Sequence, residues 1–475
     1  MYDLVLSNML KLSRTTSLFK IWKDGPLVLH QKLYFFNITN AAEFLAGAKM
    51  DVKEVGPFTY RLEWQRRNLR WNTGNTLSYT RFKLLHFVPE LSVANEKATI
   101  YSLNIPLLTY SINDKNKKKE DNLHRYNQTL VTKITVDQFL HHILDDSSIE
   151  KAEMLSWISR LNGSISDNYT VFTGEATTDV NIVKKWDGKS ELGFWKKEAC
   201  NMINGSTIDL RPSFSGNGIL TNYSFFEPEL CRSLTLTQLE TKISQGLYTN
   251  RFEISNRQFS NGSVYKPNSC FDSDHQFPSG VLDVSRCYHG APVLLSLPHF
   301  YLADMSYFQQ VSGLQPNITA HTSYVIVEPI SGLTINFALR YQFNVKVRGP
   351  PNHTDFISTS KRIYPVLWVE VSGYSSEDSI SFLFRFVKVP LFVMDSVVFK
   401  MCFFAVFTIT AIFLLCFMQK RQEQEHFTNS IHRCVLDERS FLISDPVNTF
   451  STFPDMATVE QITPDTSAVF TYVYY

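Results

Sequence analysis

Charge of one sign is what this chain most plainly lacks. Its 46 Lys and Arg face 45 Asp and Glu, a formal +1 over 475 residues, so no global field draws it to nucleic acid. Catalytic signatures are missing too: no HExxH, no CxxC pair, no Walker loop and no GxSxG. "GNGIL" (Gly216 to Leu220) lies outside any strand-to-helix context and reads as a loop. His141 and His142 are adjacent, hence about 100° apart on a helix, and do not share one metal ion. These absences point to a non-enzyme with no cofactor and no metal. No internal repeat is found. The opening "MYDLVLSNMLKLS" has no basic start followed by a long apolar run, so it is not a signal peptide.

What is present starts with aromatics: 37 Phe and 21 Tyr, suited to β-rich cores or apolar linings. One apolar run stands out. "MCFFAVFTITAIFLLCFM" (Met401 to Met418) is uncharged and near the lower length limit of a membrane-spanning helix. The preceding "VPLFVMDSVVFK" extends it to an interface, with Asp395 and Lys400 at headgroup level. "QKR" follows at once. The expected organisation is therefore an ectodomain over 1–388, a membrane segment over 389–418 and a cytosolic tail over 419–475.

N-glycosylation sequons agree with this topology. They occur at Asn37, Asn127, Asn162, Asn168, Asn204, Asn222, Asn261, Asn317 and Asn352, all before the apolar run and none after it. Cys200, Cys231, Cys270 and Cys287 lie on the same side, an even number that permits three pairings in an oxidising compartment. Cys402, Cys416 and Cys434 lie in the run and the tail.

Short apolar alternations such as "KLYFFNITN", "SYTRFKLLHFV", "LTINFALRYQFNVKV" and "YPVLWVEV" read as strands of a large antiparallel sheet or barrel. "NDKNKKKED" reads as a solvated loop. Two helices interrupt the pattern. In "TVDQFLHHILDD", Val136, Phe139, Leu140, Ile143 and Leu144 fall at helical spacing, with Thr135 and Gln138 as a capping box. In "SIEKAEMLSWISRLNG", Met154, Trp157, Ile158 and Leu161 share a face, Ser147 and Glu150 form a second box, and Asn162-Gly163 ends the helix. The tail carries no helical period and reads as disordered.

Several separated stretches resemble the class B scavenger receptor family: "LYFFNITNAAEFLAGAKMDVKEVGPFTYR", "CNMINGS", "LCRSLTL", "GVLDVSRCYHGAPVLLSLPHFYLAD", "VEPISG" and "RYQFNVKV". They span roughly residues 20–420 in the family's order. "YTVFTGEATTDVNIVKKWDGKSELGFWKKEACNMINGS" and the tail phrase "DERSFLI" are similar to its lysosomal branch.

The resemblance implies an α+β fold: an antiparallel β-barrel ectodomain with short helices, an apical helical bundle over about 135–162, and a membrane helix at each end. The first of these would precede Met1 and supply the missing entry signal. It implies disulfides Cys231–Cys287 and Cys200–Cys270. It also implies a tunnel for sterol, fatty acid or phospholipid, and a lysosomal hydrolase bound at the apex and released in acid. His141 or His142 is then the candidate pH-sensing group, against the alternative of ordinary packed or surface histidines. In the tail, Glu438 with Leu442 and Ile443 forms an acidic dileucine signal for a clathrin adaptor, implying lysosomal or endosomal membranes. The family's other destination is the plasma membrane, with lipoprotein, fatty-acid or microbial ligands.

Overall fold

A computed structural model describes residues 8–112, 129–142, 153–176, 178–213, 222–244, 246–272, 277–347, 362–390 and 396–441. The chain divides into two units, Met1–Val393 and Met394–Tyr475, a few residues beyond the boundary expected at 388.

The first unit is built on antiparallel strands. In chain order they begin with β1 (Leu27–Ile38), β2 (Met50–Asn72), β3 (Thr76–Phe87), β4 (Thr99–Leu103), β5 (Val131–Thr135), β6 (Asp167–Phe172) and β7 (Val183–Trp186). Next come β8 (Asn222–Glu227), β9 (Arg232–Ser244), β10 (Leu247–Glu253), β11 (Val281–Asp283) and β12 (Val293–Ser296). Last are β13 (Val311–Ser312), β14 (Tyr324–Val327), β15 (Thr334–Lys346) and β16 (Ile363–Ser375). Fourteen of them make one sheet, whose path runs β7-β6-β3-β2-β1-β16-β15-β14-β10-β9-β8. Only the short β13 pairs in parallel among the described strands. β4 and β5 form a separate ribbon.

Period-two patterning places the core. In β1, Leu27, Leu29, Leu33 and Phe35 are buried while Val28, His30, Lys32 and Tyr34 are half-buried. The central strands β15 and β16 are buried along nearly their whole length, as expected of strands covered on both faces.

The sheet curls until its two edges almost meet. A single stretch bridges them: Ser206 pairs with Ile182 beside β7 and with Phe225 of β8. Val183 N–H donates to Gly205 O at 3.0 Å, and Phe226 N–H to Ser206 O at 2.9 Å. Gly205 is required here. Its φ is +90°, and a Cβ would stand 2.2 Å from Ser224 O. The expected barrel is thus present, closed by a bridge rather than by continuous pairing.

Among the described residues the helical insertion is less regular than its pattern suggests. Thr135 and Gln138 do form the capping box: Gln138 Oε1 accepts from Thr135 N–H at 3.0 Å, and Thr135 Oγ1 from Gln138 N–H at 3.1 Å. The chain then makes a π-turn over Gln138–His142. The second helix is Ser156–Leu161, and Met154, Trp157, Ile158 and Leu161 are all buried as their spacing predicts. Phe139 packs edge-on to Phe35 of β1 and to Trp157, which stacks on Phe343 of β15. Ile143, Leu144, Ser147 and Glu150 lie outside the described residues.

Among its described residues the second unit is a helix, Val397–Phe441. None of its apolar window, mean hydropathy 2.5, is buried, so it is not a core helix. The helix does not stop at 418. Residues 419–441 continue it, where disorder was expected. "QKRQEQEH" is rich in strong helix formers, the apolar segment supplies the costly nucleus, and Arg421 and Glu425 form an i,i+4 pair at 3.7 Å.

Candidate functional site

A cavity of about 200 Å³ lies between the sheet and the helical insertion. The sheet contributes Gln31 from β1, Tyr60 from β2, and Leu85 and Phe87 from β3. Leu140, His141, Leu161 and Asn162 come from the insertion, and Glu96 from the loop before β4. The Tyr60 and Phe87 rings meet at 5.4 Å. The polar groups are tied back to the frame. Tyr60 OH donates to Glu96 Oε1 at 2.7 Å, Gln31 Nε2 to Leu161 O at 2.8 Å, and Asn162 Nδ2 to Leu140 O at 2.7 Å. Burial, then the Glu96 carboxylate, pushes the Tyr60 phenol well above its ordinary range. Tyr60, Leu140 and Leu161 are buried in it beside Gln31, and the half-buried Leu85, Phe87, Glu96 and Asn162 surround them, a mixed lining that suits an amphiphile. The volume is below the ~300–1,000 Å³ of whole small-molecule sites, so it matches part of a lipid.

The barrel interior next to it is ionic. Arg81 and Lys83 point inward from alternate positions of β3, Asp167 from β6 and Glu227 from β8, with Arg160 and Glu229 completing three charges of each sign. Arg160 donates to Asp167 Oδ1 at 2.8 Å, Arg81 lies 3.5 Å from Asp167 Oδ2, and Lys83 pairs with Glu229. Burial, then the Arg81 charge, lowers the Lys83 ammonium to about 8. Burial would raise Asp167, but Arg160, Arg81 and Lys83 hold it below its ordinary value. The cavity between Trp64, Lys83, Glu227, Glu229 and Tyr341 measures about 10 Å³, room for about one water. This part of the interior is filled by charges and rings. An open apolar tunnel was the expectation.

A third cluster joins five segments. Glu54 Oε2 of β2 accepts from His299 Nε2 at 2.6 Å and from Trp368 Nε1 of β16 at 2.7 Å. The His299 and His321 rings stack at 4.6 Å, and Trp368 stacks on Tyr34 at 3.8 Å. Glu54, His299 and His321 each bring one donor atom within 4.8 Å of the others, a spacing a metal ion would accept. The outer hydrogen bonds oppose it. Gln315 N–H donates to His299 Nδ1 at 3.0 Å and Asn317 N–H to His321 Nδ1 at 2.9 Å. Both Nδ1 atoms therefore carry lone pairs and both protons sit on Nε2, the reverse of an Nε2-ligating histidine whose Nδ1–H donates outward. Burial, then His299, lowers His321 to about 4. Burial would raise Glu54, but the His299 and Trp368 hydrogen bonds hold it low. The cluster is a polar clamp on the fold.

The residues singled out in the sequence are scattered. Cys200–Cys270 and Cys231–Cys287 are disulfide-bonded, with Cα atoms 5.8 and 6.3 Å apart. Asn168, Asn204, Asn222 and Asn317 are exposed, and Asn37, Asn162 and Asn261 half-buried. Asn162 and Asn261 spend Nδ2 on the carbonyls of Leu140 and Phe277. Asn127 and Asn352 lie outside the described residues. His141 and His142 are exposed; His141 borders the cavity and His142 Nε2 lies 3.7 Å from Asp137 Oδ2. Glu438 is in the long helix, while Leu442 and Ile443 lie outside the described residues.

A nearly closed antiparallel barrel with two interleaved disulfides, short helices on the sheet and one apolar helix long enough to cross a membrane defines the class. The chain belongs to the CD36 family, whose model matches residues 1–418. It is 33% identical to scavenger receptor class B member 1 of Mus musculus over 373 residues, 75% of this chain and 72% of that one. It is 30% identical to lysosome membrane protein 2 of Homo sapiens over 410 residues, 82% of this chain and 84% of that one.

Proposed function

We propose that the chain is a lipid-binding receptor of lysosomal or endosomal membranes, with residues 1–388 lumenal and glycosylated and the C-terminus cytosolic. The observation that carries it is the cavity between the sheet and the helical insertion, lined by apolar Leu85, Phe87, Leu140 and Leu161 together with polar Gln31, Glu96, His141 and Asn162. It receives a headgroup or acyl segment of a sterol, fatty acid or phospholipid. Onward conduction through the barrel requires the Lys83–Glu229 pair to part. Mass spectrometry of lipids extracted from the purified full-length protein is the test. Lipid at molar stoichiometry supports the reading, and a lipid-free protein contradicts it.

The destination follows from Glu438, Leu442 and Ile443 as a signal for a clathrin adaptor, supported by the lysosome membrane protein relatives. Leu442→Ala with Ile443→Ala should move the protein to the cell surface; an unchanged distribution rejects the signal. The helical insertion, where His141 and His142 are exposed, is the proposed seat of a lysosomal hydrolase, with His141 or His142 as the candidate acid-sensing group. The second reading is a plasma-membrane receptor for lipoprotein, fatty-acid or microbial ligands. It is favoured by the scavenger receptor relatives at similar identity.

A further inference from the structure

The β9–β10 hairpin runs past its neighbours. β8 pairs with β9 only as far as Thr237, and β14 with β10 only as far as Asn250. Beyond those points the two strands project as a two-stranded ribbon, with Leu247 opposite Ser244 at the turn. A ribbon of two strands is marginal in water without a surface to cover it.

Its two faces differ. Leu239, Thr241 and Ile243 alternate onto one face of β9 and are all exposed. Tyr248 of β10 stands directly opposite Ile243. Leu239, Ile243 and Tyr248 are 61%, 66% and 70% exposed, so three large apolar side chains point together into solvent. Glu240 and Lys242 take the other face, paired at 2.7 Å; on that face Leu247 and Thr249 of β10 are buried, so the uncovered face is that of Leu239, Ile243 and Tyr248.

The position of the turn indicates what covers them. A Cβ on Gly246 would meet Lys388 Nζ at 2.8 Å and the Phe384 ring at 3.7 Å. The turn therefore rests on the segment that leads into the apolar helix. From Lys388 to Val398 the chain advances ten residues, at most about 35 Å when fully extended, and Val389 and Pro390 are helical. Lys20, Arg385 and Lys388 are exposed on neighbouring segments beside Asp24, Glu377 and Asp378, a mixed charge suited to zwitterionic headgroups. A tyrosine beside aliphatic residues is the composition of a membrane–water interface.

We infer that the β9–β10 ribbon docks on the bilayer, with Leu239, Ile243 and Tyr248 in the interfacial layer of the leaflet facing the ectodomain. This rests on the membrane anchorage proposed above, and the test separates the two. The full-length chain is reconstituted in phosphatidylcholine nanodiscs containing lipids brominated on their acyl chains. Ile243→Cys or Val264→Cys is introduced with Cys402, Cys416 and Cys434 replaced by serine, and labelled with an environment-sensitive fluorophore. Val264 is the control: it is 71% exposed and lies in the loop beyond the far end of β10, an end about 20 Å from the turn along the strand. In a parallel sample native Cys416 is kept as the labelled site. Docking predicts several-fold stronger quenching by bromine at 243 than at 264. Quenching at 416 with none at 243 overturns docking alone, and quenching at neither overturns anchorage as well. A blue shift at 243 that needs two copies per disc and ignores bromine overturns docking in favour of self-association.

Discussion

Histidine 321 shows how a single proton position shapes a site. Its Nδ1 accepts from Asn317 N–H, so protonation puts two N–H groups face to face beside the stacked ring of His299. Burial, then the neighbouring His299, lowers its pKa from 6.5 to about 4. The unfolded chain binds the proton first. Stability contributed by neutral His321 is present above pH 6.5 and is lost as pH falls toward 4. His321→Asn keeps an acceptor near the Nδ1 position and removes the titration. Thermal melts across that range should show a smaller loss of Tm for the variant, and parallel curves would contradict this. Little of the cluster was legible in sequence. Glu54 and His299 lie inside "EVGPFTYR" and "SLPHF", stretches that carried the family resemblance, yet nothing local indicates that residues so far apart in the chain meet.

Elements were more legible than contacts. The alternation in β1, the β-branched and aromatic runs of β3, β15 and β16, and the capping box at Thr135 and Gln138 were readable because each rests on neighbours in sequence. The projecting end of β9–β10 was not anticipated, nor was the continuation of the long helix past 418, because both depend on what the preceding segment imposes. The ionic interior escaped for a related reason. Arg81 and Lys83 lie at i and i+2 of β3, a signal for two charges on one face, but the carboxylates they meet come from β6, β8 and the turn after it. Lys83→Met alone strands Glu229 in the interior and should cost about 3–5 kcal/mol in denaturant unfolding. Lys83→Met with Glu229→Leu should recover most of that loss. A single variant as stable as wild type would show the pair to be solvated.

At the scale of the whole molecule, two features support the functional reading: an antiparallel barrel whose gap is bridged at Gly205–Ser206, and a helix none of whose apolar window is buried among the described residues. Sequons confined to one side of that helix and disulfides on the same side follow from one topology. The disulfide loops interleave, since Cys231 lies between Cys200 and Cys270 while Cys287 lies beyond both. Each therefore restricts a stretch the other already encloses.

Lipid occupancy of the cavity is what the proposed function stands on. Leu85 is half-buried on β3 and faces the cavity, so Leu85→Trp fills the space from the sheet side without removing a core anchor. Wild type and variant, purified at full length in the same detergent, are to be compared for bound lipid by quantitative mass spectrometry, with melting curves confirming the fold. A several-fold drop in lipid per protein for the variant at unchanged Tm is the expected result. Equal lipid content in both would place the ligand elsewhere and remove the cavity from the proposed function.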